Sequence, residues 1–342
     1  MRRLPGPANT FPANLNHGIQ ACRPFRLVQE PEPNLQIYLP IAELPINMLL
    51  LLGMGMAVGF ISGMFGVGGG FLMTPLLIFM GVPPAVAVAT QGPQIAASSL
   101  TGSLLYWRRK ALDVKLGLVL LAGGLIGTFL GVLFFNQMRK LGQLDTIIAI
   151  SYVVLLGTIG LLILIESITT LVRSKSGPQP RKRRAGRHQW YEGLPLKMRF
   201  PRSGLYLSVI PILFIAMFIG FAGAVLGIGG GFILVPALIY IFRVPAKIVV
   251  GTSLFQILFT MLAATIMHAI TNFSVDIFLA LFLILGAVFG AQFGAQVGAN
   301  IRSDVFRLLL ALLILGVAGR FTTDIFAKPL EPFSATITDT FR

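Results

Sequence analysis

Long apolar runs broken by short polar joints dominate the pattern along this chain. No charged residue falls between Glu43 and Arg108, and none between Arg202 and Arg243. Eight apolar blocks emerge: Pro45 to Val82, Pro84 to Trp107, Val114 to Phe135 and Leu144 to Ile165, then Gly204 to Phe242, Ile248 to Ile270, Ile277 to Ala299 and Val305 to Gly319. Most approach or exceed the roughly 20 residues that a helix needs to cross the hydrocarbon of a bilayer. The pattern predicts an all-α polytopic membrane protein with about eight membrane-embedded segments. The blocks from Pro45 and from Gly204 are the exceptions, because each is interrupted midway by glycines.

Those interruptions expose an internal repeat. Gly59 to Ile78 matches Gly220 to Ile239 at 10 of 20 positions, too many for chance in a stretch that includes Gly-x-Gly-Gly-Gly-Phe and Pro75 with Pro236. Downstream, Val82-Pro83 matches Val244-Pro245, Thr90 matches Thr252, Gln94 matches Gln256 and Asp113 matches Asp276. Gly123, Gly127 and Gly131 match Gly286, Gly290 and Gly294. The domain plan is therefore a tail over 1–40, a first membrane repeat over 41–172, a basic cytoplasmic linker over 173–203, a second repeat over 204–322 and a C-terminal tail over 323–342. The first tail is rich in proline and reads as disordered, or as an extension upstream of a start near Leu35.

Composition sharpens the picture. Only 11% of residues are charged, against about 25% in soluble domains, which excludes an ordinary soluble enzyme. The net charge of +15 would suit nucleic acid, yet ten of the 27 Lys and Arg lie in one loop, Arg173 to Arg202, and most others end apolar runs. That is the positive-inside pattern, and no nucleic-acid partner is expected.

Charge also bears on the interrupted block, which is either a re-entrant hairpin or a full span followed by a half-helix. A hairpin leaves three full crossings per half and makes the repeats inverted. One side then carries Arg108, Arg109, Lys110, Lys115, the central ten, Arg243, Lys247, Arg302 and Arg307, with Arg139 and Lys140 opposite. The crossing alternative, with parallel repeats, segregates charge less well, so the inverted arrangement is favoured.

Glycine runs break a helix and free backbone groups that lipid cannot satisfy, so such backbone must face protein or a wet cavity. A helix restarting at Phe71 or Phe232 aims its positive N-terminal end there, which suits an anion. Gly68, Gly69, Gly70, Gly229, Gly230 and Gly231 are the candidate substrate-binding tips; close helix packing is the alternative. Thr90 with Gln94, and Thr252 with Gln256, are spaced i, i+4 and share a helical face. With Ser253 they offer neutral donors to a small oxyanion, or else interhelical hydrogen bonds. The four-residue spacing of Gly123, Gly127 and Gly131 reads as a packing stripe. His268 is a proton-coupling candidate, with a hydrogen-bonded interfacial histidine as the alternative. Neither paired carboxylates nor a metal-ligand cluster stands out, so no enzyme activity, metal or cofactor is expected.

At these residues the chain resembles the TauE/SafE-type sulfite exporter family, over about Pro40 to Ala318. The resemblance rests on the doubled Gly-x-Gly-Gly-Gly-Phe run with its proline, then Val-Pro, then a small residue before Thr90 or Thr252. Gly251-Thr252-Ser253-Leu254 has the family's usual form, whereas Ala89-Thr90-Gln91-Gly92-Pro93 departs from it by placing a helix breaker after the threonine. The resemblance implies transport of a small anion (sulfite, thiosulfate or an organosulfonate) across the bacterial cytoplasmic (inner) membrane by a multi-pass secondary transporter. A gated anion channel and a non-transporting membrane scaffold are the alternatives. Partners are the anionic substrate and the bilayer, and homo-oligomerisation is compatible with the pattern.

Overall fold

In a computed structural model, residues 36–65, 69–174, 195–200, 202–203, 205–298 and 303–327 are described. They are mostly helical. A short hairpin, β1 (Gln36–Leu39) paired antiparallel with β2 (Leu44–Asn47), leads into α1 (Met48–Phe65), α2 (Gly70–Phe79), α3 (Pro84–Arg108), α4 (Val114–Lys140) and α5 (Leu144–Ser174). The same order follows: β3 (Lys197–Phe200) paired with β4 (Leu205–Ser208), then α6 (Val209–Leu226), α7 (Gly231–Tyr240), α8 (Ala246–Asn272), α9 (Ile277–Gly298) and α10 (Ser303–Ala327). The all-α expectation thus needs the two hairpins added. Strands of four residues are too short for a period of two to stand out beside an adjoining apolar run.

Domain edges shift accordingly. Of the expected tail over 1–40, residues 36–39 form β1 and 1–35 lie outside the described residues. The expected linker over 173–203 begins inside α5 and ends in the second hairpin, and the expected tail over 323–342 begins inside α10. Six helices among the described residues are long and apolar enough to cross a membrane, each with large apolar side chains such as Phe129, Leu161, Phe214, Ile266, Phe289 and Leu312 turned outward. Outward-facing apolar surface on this scale suits lipid rather than water. The 25-residue α3 is not among the six, because it buries Thr90, Gln91, Gln94, Ser98, Ser99 and Ser103.

Prolines and glycines set the punctuation. Pro83 and Pro245 precede the first turns of α3 and α8, where a missing N–H costs nothing. Asp113 caps α4 by accepting from the Leu116 N–H (3.4 Å), and Asp276 does the same for α9 at Leu279 (3.1 Å). Gly227 ends α6 at a φ of 68°, a left-handed conformation that glycine adopts without strain.

Helix packing is closest for α1 on α9 and α4 on α6. Gly55, Gly59 and Gly63 of α1 meet the backbone of Leu283, Ala287 and Ala291 of α9, Gly286, Gly290 and Gly294 of α9 meet the backbone of Leu52, Met56 and Phe60 of α1, and Gly123, Gly127 and Gly131 of α4 face α6. These glycines let main chain meet main chain, the packing that replaces hydrophobic association inside a bilayer. Helices α3 and α8 cross through Ile95, Ala96, Ile257, Met261 and Ala264, and α5 packs on α10.

Hydrogen bonds identify which helix ends share a level. Ile41, before α1, donates to Asp276 at the start of α9 (3.0 Å), and Arg139 near the end of α4 donates to the Asn272 carbonyl at the end of α8 (2.9 Å). Phe79 ending α2 meets Phe321 of α10, and a cavity of about 460 Å³ there is lined by Pro84, Asp145 and Arg320. At the other level, Ser203 donates to Asp113 at the start of α4 (3.0 Å), the Asp113 N–H donates to Thr252 near the start of α8 (3.2 Å), and Tyr240 ending α7 bonds Glu166 of α5.

Candidate functional site

The two ten-residue helices restart where the glycine runs end. The N–H groups of Leu72 and Met73 return to the Gly69 carbonyl, and those of Ile233 and Leu234 to the Gly230 carbonyl. Gly70, Phe71, Gly231 and Phe232 therefore begin their helices with N–H groups that have no intrahelical acceptor. Their tips face one another: the Phe71 and Phe232 rings stack with centroids 4.6 Å apart and planes 10° from parallel. Gly69, Gly70, Gly229, Gly230 and Gly231 are all buried, whereas Gly68 lies outside the described residues.

A methyl on Gly70 would sit 2.5 Å from the Gly227 carbonyl and 2.2 Å from Ile95 Cδ1. The break that ends α6 is closed off by side chains of the first half. Thr74 donates to the Gly227 carbonyl (3.3 Å) and Tyr152 to the Leu226 carbonyl (2.5 Å), satisfying groups that the broken helix frees. Gly229 and Gly230 hold φ values of 77° and 78°, where any other residue is strained. A Cβ on Gly229 would meet Ile95 of α3 at 2.8 Å and Ile257 of α8 at 3.5 Å, so these helices pass the tips one residue beyond Gln94 and Gln256, and the Gln256 amide lies against Gly124 of α4.

The expected polar residues divide into two groups. Gln94 and Gln256 are buried with amide atoms left unpartnered: Nε2 of Gln94 and Oε1 of Gln256. Gln91, one turn before Gln94, is likewise buried; its Nε2 donates to Gln94 Oε1 and its Oε1 has no partner. Thr90, Thr252 and Ser253 are instead engaged by main chain. Thr90 accepts from the Asp276 N–H (3.0 Å), Thr252 accepts from the Asp113 N–H, and Ser253 donates to the Val250 carbonyl (3.0 Å).

Each threonine is thus part of a chain running from threonine to capping aspartate to hairpin. Asp276 binds Ile41 and Asp113 binds Ser203, with Arg202 anchored on the Leu112 carbonyl. This doubled linkage joins each hairpin to a long helix of the other half. Its signal in the sequence was the match of Asp113 with Asp276, which as two loop-edge carboxylates pointed to no partner. Thr252→Val should leave the Asp113 N–H buried and unpaired, lowering stability by about 1–3 kcal/mol with anion affinity unchanged. Thermal unfolding with and without anion checks this, and weaker anion binding at unchanged stability would return the hydroxyl to the site.

His268 is buried near the end of α8, at the level of Asn272 and Arg139. Its Nε2 donates to the Ala224 carbonyl (3.1 Å), its Nδ1 accepts from Asn272 Nδ2 (2.9 Å), and its ring meets Phe135 edge-on at 4.7 Å. Both nitrogens are used by a neutral ring, and the Arg139 guanidinium binds the Asn272 carbonyl next door. Protonating Nδ1 would break the Asn272 bond and set a second cation beside the first, an arrangement that favours a structural role. Among the described residues no group of three or more His, Cys, Asp or Glu is placed to hold a metal.

Comparison with known proteins adds a family and relatives. The sequence model described as Sulfite exporter TauE/SafE matches residues 51–321. The chain is 26% identical over 239 residues to the probable membrane transporter protein YunE of Bacillus subtilis, covering 66% of this chain and 80% of that protein. It is 30% identical over 228 residues to the probable membrane transporter protein YjnA of the same organism, covering 63% and 77%. Sulfite exporter TauE/SafE family protein 3 of Arabidopsis thaliana is 35% identical over 77 residues, which is 22% of this chain and 16% of that protein. No solved structure matches.

Proposed function

The chain belongs to the sulfite exporter TauE/SafE family, and we propose on that premise that it is a secondary transporter for a small anion of the sulfite, thiosulfate or organosulfonate class. The membrane is the bacterial cytoplasmic membrane. The observation that carries this reading is the meeting of two broken helices, with Phe71 stacked on Phe232 and first-turn N–H groups gathered at a buried centre. Unpaired N–H groups and the positive ends of two helices attract negative charge without a resident cation. Asp113 and Asp276, which would repel an anion, are spent on helix caps and hairpins.

The same centre supports alternating access. Helices α1 and α2 leave and return to the level of Ile41, Phe79, Arg139 and Arg320, while α6 and α7 do so at the level of Asp113, Ser203 and Tyr240. Each half is then a re-entrant hairpin plus three crossings, and the halves are inverted repeats, an arrangement that transporters use to open one side at a time. Arg108, Arg109, Lys110, Lys115, Arg202 and Arg243 lie at the second level, which is therefore the cytoplasmic one.

Purified protein in liposomes tests the reading with labelled sulfite, thiosulfate and a sulfonate. Saturable flux that follows an imposed ion gradient supports a carrier. Unsaturable flux means a channel, and no flux means a scaffold. With Cys22, the only cysteine, replaced by serine, Lys197→Cys should react with an impermeant thiol reagent only from inside and Gln143→Cys only from outside. Labelling of both from one side would sink the inverted arrangement.

A further inference from the structure

We infer that Gln91 and Gln94 form a paired reader for an oxyanion that carries its own hydrogen-bond donor, such as a hydroxyl, an acid O–H or an ammonium group. The inference rests on the anion-transporter reading and narrows its substrate. Both side chains are buried, at 0% and 1% exposure, in the middle of a lipid-embedded bundle where an unpaired amide group is expensive. Their single mutual bond leaves Gln91 Oε1 and Gln94 Nε2 without partners.

That outcome does not depend on how the amides are assigned. Swapping oxygen and nitrogen in both still leaves one carbonyl and one NH₂ unpaired. The residue after Gln94, Ile95, would touch a methyl on Gly70 and one on Gly229, so Gln94 is one residue and Gln91 about one helical turn from the contact with both tips.

A bare oxyanion offers acceptors alone. It would satisfy Gln94 Nε2 and the helix-tip N–H groups and would leave the Gln91 carbonyl facing like charge. An oxyanion with its own donor satisfies all of them. The second half lacks this reader: Ser253 stands where Gln91 does, and its hydroxyl returns to the Val250 carbonyl.

Three sulfonates of nearly one shape separate the possibilities: ethanesulfonate, 2-hydroxyethanesulfonate and 2-aminoethanesulfonate, titrated calorimetrically into the purified full-length protein at neutral pH. One or both donor-bearing compounds should bind at least about tenfold tighter than ethanesulfonate, in line with one or two added neutral hydrogen bonds. Which of the two wins tells a hydroxyl reader from an ammonium reader. In Gln91→Met/Gln94→Met, which removes both partners with little change of shape, the preference should fall below about threefold at a near-normal melting temperature. Equal binding of all three to the wild type would overturn the inference, the pair then holding only water, and this comparison stands whether or not the variant folds. Preference surviving in the folded variant would overturn it too. Binding without preference leaves the transporter reading in place; no binding of any sulfonate overturns the inference, and the transporter reading falls with it only if sulfite and thiosulfate give no flux either.

Discussion

Gly127→Val is expected to yield little or no folded protein. A Cβ at Gly127 would sit 1.9 Å from the Met217 carbonyl oxygen, 2.7 Å from its carbon and 2.9 Å from its Cα. All three atoms are main chain, so no rotamer change relieves the overlap, and α4 must move off α6. Gly123, Gly131 and Gly220 share that seam, so separation at one point loosens contacts along its length. Overpacking by a methylene or two costs about 1–3 kcal/mol, and a branched side chain against fixed backbone costs more. A stability near 5–15 kcal/mol leaves small room for that. Gly290→Val should act alike, since its Cβ would lie 2.1 Å from the Met56 carbonyl on α1. Gly157→Val and Gly316→Val are the controls: nothing lies within 4 Å of either Cβ, and both should fold normally. Detergent-extracted yield and melting temperature decide it, and a wild-type melting temperature for Gly127→Val would remove the glycine seam as a determinant of the fold.

The seam was legible in the sequence, because four-residue glycine spacing has one dominant meaning inside a bilayer. So were the starts of the long helices, which proline, glycine and charge punctuate, whereas α5 and α10 run on to Ser174 and Ala327, past the apolar blocks that end at Ile165 and Gly319. The hairpins were not, since β1 and β2 carry no alternation longer than four residues and run straight into α1. At the site, the glycine breaks announced themselves twice over, and their meeting through Phe71 and Phe232 adds what spacing alone cannot supply. Thr90 and Thr252 show the limit of reading a helical face. Spacing by four placed them beside Gln94 and Gln256, but a hydroxyl answers to whichever N–H reaches it, and the Asp276 and Asp113 backbones do. Tyr152 gave no signal, because its partner is the carbonyl of a residue 74 positions away.

Gly70→Ala is expected to abolish transport while leaving a protein that still folds. Gly70 lies between the two broken helices, where a methyl would meet the Gly227 carbonyl at 2.5 Å and Ile95 Cδ1 at 2.2 Å. Its conformation is the ordinary first residue of a helix, so alanine adds bulk without backbone strain, unlike Gly230 at a φ of 78°. The cost to stability should be about 1–3 kcal/mol, because the displaced contact is local and the seams between α1 and α9 and between α4 and α6 are untouched. The cost to function should be larger, with flux down by more than about tenfold, because the methyl props apart the tips that, in the proposed function, close around the anion. Ile95→Val in the same chain separates the two effects. It removes Cδ1 and relieves the softer overlap, while the clash with the Gly227 carbonyl stays. The double variant should regain stability and remain inactive. Flux and melting temperature measured together on wild type, single and double variants give the answer: transport that recovers in step with stability would mean that Gly70 only fills space, and the paired tips would no longer be the site of the anion.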